Sequence, residues 1–436
     1  MVSGLVDERQ ARRNVNLLAT LDMIISLGFG LIMPLFPLYL KYLAGGTAEV
    51  GLQVGILFSS FVLARALLAA PFGNLSDRLG RKRLILIGTI LYAVLAILFT
   101  VPENWLGLLF VRAFQGVASA MVWPVSEALV IDSTPVRMRG ASMGKLVMGA
   151  NLGMVIGPFA GGALYAVAFY TLGFSEGDSY RFPFYFTSVL AIIGAVLVWK
   201  YVTDAVAPHE HKTKMSFRSL LKPHGMDAQG LRNLRVLYAN AAMEGFAISG
   251  IGPLMVLFLT FKFPELEVAS IPLIVGLAMG LGVLVAYPSG RLADGVGKKK
   301  MFVIGGYVSF IGTILIPYGW ALAPVIIFLT MRSMAFQVAS PALRALQADN
   351  VPEEIRGRLI GMLESMSNIG SVMGAPVGGL LWDYFHGSDI GLPSPIDGTM
   401  IPFLISGVLG VLTVTLVLLL VRERQIHQAP ARQAVP

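Results

Sequence analysis

The sequence predicts an all-α membrane protein of twelve spanning helices in two related halves, and three observations lead there. Of its 436 residues 56% are hydrophobic and only 13% are charged, whereas a water-soluble domain needs about a quarter charged to cover its surface. The apolar residues gather into runs of roughly 20 to 25, the length an α-helix needs to cross about 30 Å of hydrocarbon. Finally, a shift of 217 residues overlays one half of the chain on the other, the mark of an internal structural repeat.

The spans follow in order. The first, 14–40, comes after Asp7, Glu8, Arg9, Arg12 and Arg13 and has no small-residue cleavage site, so it is expected to stay in the mature protein. Spans 48–73 and 84–101 flank the basic loop Arg78 to Arg83, and 106–131 and 142–168 flank Arg137 and Arg139. Span 182–203 leads into a polar stretch, and the second half repeats the pattern at 234–262, 268–290, 301–321, 323–347, 358–382 and 399–421. Val408 to Val421 is apolar on nearly every side, unlike the alternating ten-residue strands of a β-barrel. The domains expected are an N-terminal bundle at 1–203, a cytoplasmic linker at 204–233, and a C-terminal bundle with a short tail at 234–436.

A net charge of +8 could suggest nucleic acid, but the basic residues fall almost wholly on one side of these spans. The other side has little beyond Lys41, Arg181 and Lys262. Loops retained in the cytoplasm keep Lys and Arg, so both termini are expected there, in a multi-pass protein of the plasma (inner) membrane, with no nucleic-acid partner. Cysteine is absent, which removes disulfides and thiolate metal sites. No nucleophile motif, metal cluster or phosphate-binding loop supports an enzyme, and no cofactor is expected.

The repeat carries motifs. Gly73, Asp77, Gly80 and Arg81-Lys82-Arg83 fall on Gly290, Asp294, Gly297 and Lys298-Lys299-Lys300, and Asp132 falls on Asp349. Gly73 would allow a close helix approach, Gly80 a tight turn, and Asp77 could face a helix N-terminus or a guanidinium; a merely topogenic basic loop is the plain alternative. The segment Gly73-Asn-Leu-Ser-Asp77-Arg-Leu-Gly80-Arg81-Lys82 resembles the loop signature of the major facilitator superfamily. Arg112-Ala-Phe-Gln115-Gly116 resembles that family's Arg-x-x-Gln-Gly motif, and Gly144, Gly153, Gly157-Pro158 and Gly161-Gly162 reproduce the glycine pattern of its antiporters. Leu27-Gly28 with Pro34 and Pro37 resembles the opening helix of the twelve-helix drug/proton antiporters. In the second half only the loop signature and Gly378-Gly379 stand out.

The resemblance implies the major facilitator fold, two pseudo-symmetric six-helix bundles around a central cavity. It implies a conformational latch of Gly73, Asp77, Arg81 and Asp132, with Asp294, Lys298 and Asp349 as a weaker copy, because lysine lacks the bidentate reach of arginine. It associates Arg112 with proton coupling; an arginine in a membrane span is a functional hypothesis by default, and the plain reading is that it snorkels to the headgroups. Gly149, Gly153, Gly157 and Gly161 stand four apart, giving a smooth groove against a neighbouring helix, which Pro158 bends or loosens.

A proton-coupled carrier needs a carboxyl that exchanges its proton near neutral pH. Asp22 and Glu244 lie well inside the first and seventh spans at comparable places, Glu127 lies near an end of the fourth, and Glu364 is similarly shallow in the eleventh. Each could instead form a structural ion pair with Arg65, Arg112, Arg332, Arg344 or Lys145. Gln115, Asn151 and Asn240, with Met33 and Phe246, are candidates for a substrate cavity, or for interhelical bonds and lipid contact. The reading is a monomeric secondary transporter whose partners are a small-molecule substrate, membrane lipid and protons. It exports hydrophobic or amphipathic compounds; a lipid or glycolipid exporter, or a sugar or metabolite carrier, is the alternative on the same fold.

Overall fold

The computed structural model describes residues 8–46, 50–204, 228–350, 356–386, 388 and 397–422. Helices account for almost all of them. In the first part of the chain these are α1 (Glu8–Ile32), α2 (Phe36–Leu43), α3 (Gly51–Leu79), α4 (Arg81–Leu98), α5 (Trp105–Ser133), α6 (Arg139–Ala166) and α7 (Glu176–Tyr201). In the second they are α8 (Ala228–Ile251), α9 (Leu254–Lys262), α10 (Ser270–Val296), α11 (Lys298–Leu315), α12 (Leu322–Asp349), α13 (Arg356–Phe385) and α14 (Ile401–Leu420). Among the described residues nine helical stretches are long and apolar enough to cross a membrane, and Ser270–Val285 is a shorter apolar one. The protein is an all-α membrane protein.

Several bounds differ from the sequence expectation. The first and seventh spans are each broken, α1 from α2 at residues 33–35 and α8 from α9 at Gly252-Pro253. Proline explains both breaks, since Pro34 and Pro253 lack the N–H that would continue the ladder. α1 and α8 also begin earlier than expected, because Glu8–Arg13 and Ala228–Asn233 extend the helix beyond the apolar run. Residues 228–233 of the expected linker are therefore helical; 205–227, the tail 423–436 and residues 1–7 lie outside the described residues.

Packing repeats between the halves. In the first, α1 lies on α6 and α7, α5 on α3 and α4, and α4 on α7; in the second, α8 lies on α13 and α14, α12 on α10 and α11, and α11 on α14. Two seams join them, α3 on α13 and α6 on α10. One large apolar cluster crosses from half to half and includes Leu31, Tyr39, Val54, Phe184, Phe258, Ile271 and Phe403. The other two, around Leu18, Leu84 and Leu129 and around Leu237, Phe302 and Leu346, each stay within one half. The halves thus meet on the face away from the basic loops.

The α3–α13 seam says the same. Away from the basic loops, the Asp383 carboxylate accepts the N–H groups of Gly51 (2.8 Å) and Leu52 (2.7 Å), and Ser59 donates to the Val372 carbonyl at 2.8 Å. Toward the basic loops, a β-carbon added at Gly73, Gly144 or Gly361 would meet nothing within 4 Å. The expected close approach at Gly73 is therefore absent in this conformation, since the halves stand apart there.

Each half also closes its own ring. Asn14 donates to the Thr203 carbonyl (2.9 Å), accepts the Thr203 N–H (3.2 Å) and donates to Ser133 Oγ (3.4 Å). Asn233 repeats this with the Arg422 carbonyl (2.8 Å), the Arg422 N–H (3.2 Å) and Asn350 Oδ1 (2.6 Å). Both asparagines are buried, so truncation strands the carbonyl and amide they serve. Asn14→Ala and Asn233→Ala should each cost about 1–2 kcal/mol, read as a lower melting temperature of the purified protein, with Asn16→Ala on the exposed face of α1 as the unaffected control.

Candidate functional site: a cavity between the halves

The glycine stripe of α6 sets the wall on one side. β-carbons at Gly149, Gly153, Gly157 and Gly161 would collide with the backbone of α1 at Ala19, Met23, Gly30 and Leu31. The expected groove is therefore real, and α1 fills it. The second half has its own stripe, which carries no family motif. Gly370, Gly374 and Gly378 of α13 meet the backbone of α8 at Ala242, Phe246 and Gly250. These three sit one repeat length after Gly153, Gly157 and Gly161, so the signal lies in the four-residue spacing instead of in the motif. Gly162 and Gly379 turn to the opposite half, against Ala269 and Gly51.

Between the halves lies a cavity of about 410 Å³. Both helix breaks reach its wall, through Met33 and Pro34 on one side and Gly252 and Pro253 on the other. Pro158, Met154, Met255, Met279, Phe36, Phe58 and Phe336 give it an apolar lining. Its polar members are Arg112, Asn151, Arg332, Ser333 and Gln337. Of the expected cavity residues, Asn151 and Met33 lie on this wall, whereas Gln115, Asn240 and Phe246 do not. Asn240 is fully buried with neither side-chain atom hydrogen-bonded, and the Phe246 backbone seats the α13 stripe.

Arg112 does not snorkel. It is buried, donates to Gln115 Oε1 at 2.9 Å, and lies over the rings of Phe61 (4.7 Å), Phe29 (5.1 Å) and Phe36 (5.7 Å). Three ring faces offset part of the cost of desolvating the cation. Its Nε has no hydrogen-bond partner. Arg332, absent from the expected site, donates from Nε to Thr313 at 2.9 Å.

Asp22 is buried in α1, and its Oδ1 has no hydrogen-bond partner. Among the described residues it forms no ion pair, and Glu127 is within electrostatic reach of it. Glu127 in turn sits within reach of Arg65, of Arg344 and of Glu364 from the second half. The structure thus gathers Asp22, Glu127 and Glu364 into one charged group together with two arginines. Glu244 stands apart from it, on α8, with no ion-pair partner among the described residues.

The loop signature forms as its spacing suggests. Gly80 has φ +93° and Gly297 φ +103°, a backbone region open to glycine at little cost. Arg81 bridges Asp77 (3.0 Å) and Asp132 (2.5 Å), whereas Lys298 reaches Asp349 at 2.6 Å. The side chains of Gly290 to Asp294 lie outside the described residues. Two residues were missed. Asp204 accepts the N–H groups of Arg81 (3.1 Å) and Lys82 (3.4 Å), capping α4, and Asp383 caps α3 from the other half. Neither belongs to a local pattern, since their partners lie more than a hundred residues away.

Comparison with known proteins supports the same picture. A family model described as Major Facilitator Superfamily matches residues 18–287 and 237–436. An uncharacterised transporter of that type from Methanocaldococcus jannaschii is 28% identical over 359 residues, covering 82% of this chain and 88% of its own. Multidrug resistance protein 2 of Bacillus subtilis is 26% identical over 375 residues, covering 82% and 86%. A bacterial homologue of the human lysosomal transporter Spinster, in an inward-facing and occupied conformation, superposes with a TM-score of 0.76 at 17% identity over 93% of this chain and 96% of its own, a likeness of fold.

Proposed function

The chain belongs to the major facilitator superfamily, and from that premise we propose that it is a proton-driven exporter of hydrophobic or amphipathic compounds. Its twelve spans form two six-helix bundles that rock about the α3–α13 and α6–α10 seams, exposing the cavity first to one side of the membrane and then to the other. The basic loops mark the cytoplasmic side, so the conformation described is the one that loads substrate from the cytoplasm or the inner leaflet.

The observation that carries this reading is the apolar cavity between the halves, joined by a charged group reaching across them. A wall of Met and Phe side chains repacks around different lipophilic shapes, and multidrug resistance proteins stand among the relatives. Asp22 is the leading proton carrier: a carboxyl without a salt bridge exchanges its proton without first breaking one. Glu244 takes the corresponding place in the second half, and Glu127 and Arg112 complete the coupling set. Arg81 with Asp77 and Asp132 holds the cytoplasmic ends of α3, α4 and α5 together as the bundles move.

The test uses proteoliposomes with an internal pH dye and an imposed proton gradient, to which lipophilic cations, neutral drugs, amphipathic anions and sugars are added in turn. Lipophilic or amphipathic compounds should trigger proton movement, and Asp22→Asn should abolish it while leaving substrate binding in place. Glu244→Gln should slow it at least tenfold. A response to sugars alone would overturn the substrate class, and full coupling in both variants would overturn the proton path.

A further inference from the structure

The cavity is polarised in a way that a general lipophile carrier does not require. Among the described residues no Asp or Glu lies on its wall, yet two arginines do, one from each half. Arg112 comes from α5 and Arg332 from α12. Neither has a carboxylate within salt-bridge distance among the described residues. Arg112 spends one donor on the neutral Gln115, and its Nε is unpartnered. Arg332, also on the wall, spends its Nε on the neutral Thr313.

Two arginines without a carboxylate partner in an apolar pocket are costly unless something supplies negative charge. The carboxyls of the charged group do not: Glu127 and Glu364 lie within electrostatic reach of Arg65, and neither they nor Asp22 lie on the cavity wall. The counter-charge is left to the cargo. Guanidinium groups suit oxyanions, because their planar donors match carboxylate, sulfonate and phosphate geometry. The remaining wall, from Met33 and Phe36 on one half to Met279 and Phe336 on the other, suits an apolar body.

We infer that the preferred substrate is an amphipathic organic anion, its acidic head drawn to the arginines of the wall, Arg112 and Arg332, and its apolar body lying along the methionines and phenylalanines of the cavity. This rests on the export reading for the transport step only. It narrows the substrate to one sign of charge and gives Arg332 a role that the motifs do not assign. A lipophilic cation would face both guanidiniums with no carboxylate beside them.

The experiment measures equilibrium binding to the purified full-length protein by calorimetry, without a proton gradient. The probes share one apolar body: naphthyl phosphate, the naphthyl trimethylammonium and neutral naphthol, with inorganic phosphate as the headgroup alone. The phosphate ester should bind at least about tenfold more tightly than the ammonium, and inorganic phosphate much more weakly than the ester. Arg332→Gln should lower affinity for the ester about tenfold and leave naphthol unchanged, while Arg332→Lys keeps part of the preference. Arg112→Gln should act alike, and if it does not fold, the Arg332 pair decides.

A wild-type preference for the ammonium, or an anion preference untouched by Arg332→Gln, overturns the proposal. Inorganic phosphate binding as tightly as the ester would also overturn it, showing a small-anion site. Failure of proton coupling with anion preference intact would count against the export reading alone.

Discussion

Leucine at Gly157 should leave little folded protein in the membrane, and leucine at Gly374 should do the same from the other half. A β-carbon at Gly157 already falls within 2.8 Å of Gly30 Cα, the Gly30 carbonyl carbon and the Leu27 carbonyl oxygen. All of these are backbone, so no rotamer change can make room, and α1 would have to leave α6. Gly374 faces the backbone of α8 at Phe246 in the same way. Membrane helices associate largely by such close packing, and overpacking of this kind costs about 3 kcal/mol or more. Yield of monodisperse protein and its melting temperature give the readout. Gly73→Leu supplies the contrast: with nothing within 4 Å of that position, it should fold normally in the open conformation yet lose turnover, because the cytoplasmic ends could no longer approach. Normal folding of Gly157→Leu, or normal transport by Gly73→Leu, would contradict this account.

Asp383→Ala should shift the resting conformation. Its carboxylate accepts two backbone N–H groups at the start of α3, across the seam that keeps the far face shut. Charge-assisted bonds are worth about 1.5–3 kcal/mol each. Their joint loss, taken as about 3 kcal/mol, would move the balance between the two access states about a hundredfold. Amide hydrogen exchange in membrane discs checks it. Exchange should rise in the first turns of α3, from Gly51, and fall in its last turns, where the halves would now close. Unchanged exchange at both ends would mean that the seam is held by packing alone. Asp383→Asn should fall between, since its amide oxygen still accepts, without the charge.

Much of this was legible in the sequence because it is periodic or local. Spans reveal themselves by length, the α6 stripe by its four-residue spacing, and the Arg81–Asp132 and Lys298–Asp349 pairs by a repeat that places each partner twice. What escaped depends on chain segments meeting from far apart. Asp383 looks like one more polar residue at the end of an apolar run until α3 arrives beside it. Arg332 looks like a possible ion-pair partner because the sequence gives its charge but not its neighbours, and only the fold shows that it has no carboxylate in salt-bridge distance among the described residues. Asn14 and Asn233 sit near charged ends of α1 and α8, and their work is done at Thr203 and Arg422. The second glycine stripe is legible in the repeat, one period after the first, although it carries no family motif.

The seams between the halves have a further consequence. Gly51, Gly55 and Gly379 line one, and Gly162, Gly276 and Gly280 line the other. Interlocked side chains behave like gear teeth, which must change rotamer before they disengage. Along these glycines the surfaces have few teeth, so there one half can roll over the other like a smooth bearing. Friction then comes chiefly from the handful of directional bonds that pin the roll, those of Asp383 and Ser59. The cycling speed of such a machine can be retuned by single substitutions at the pins while the bearing itself stays as it is.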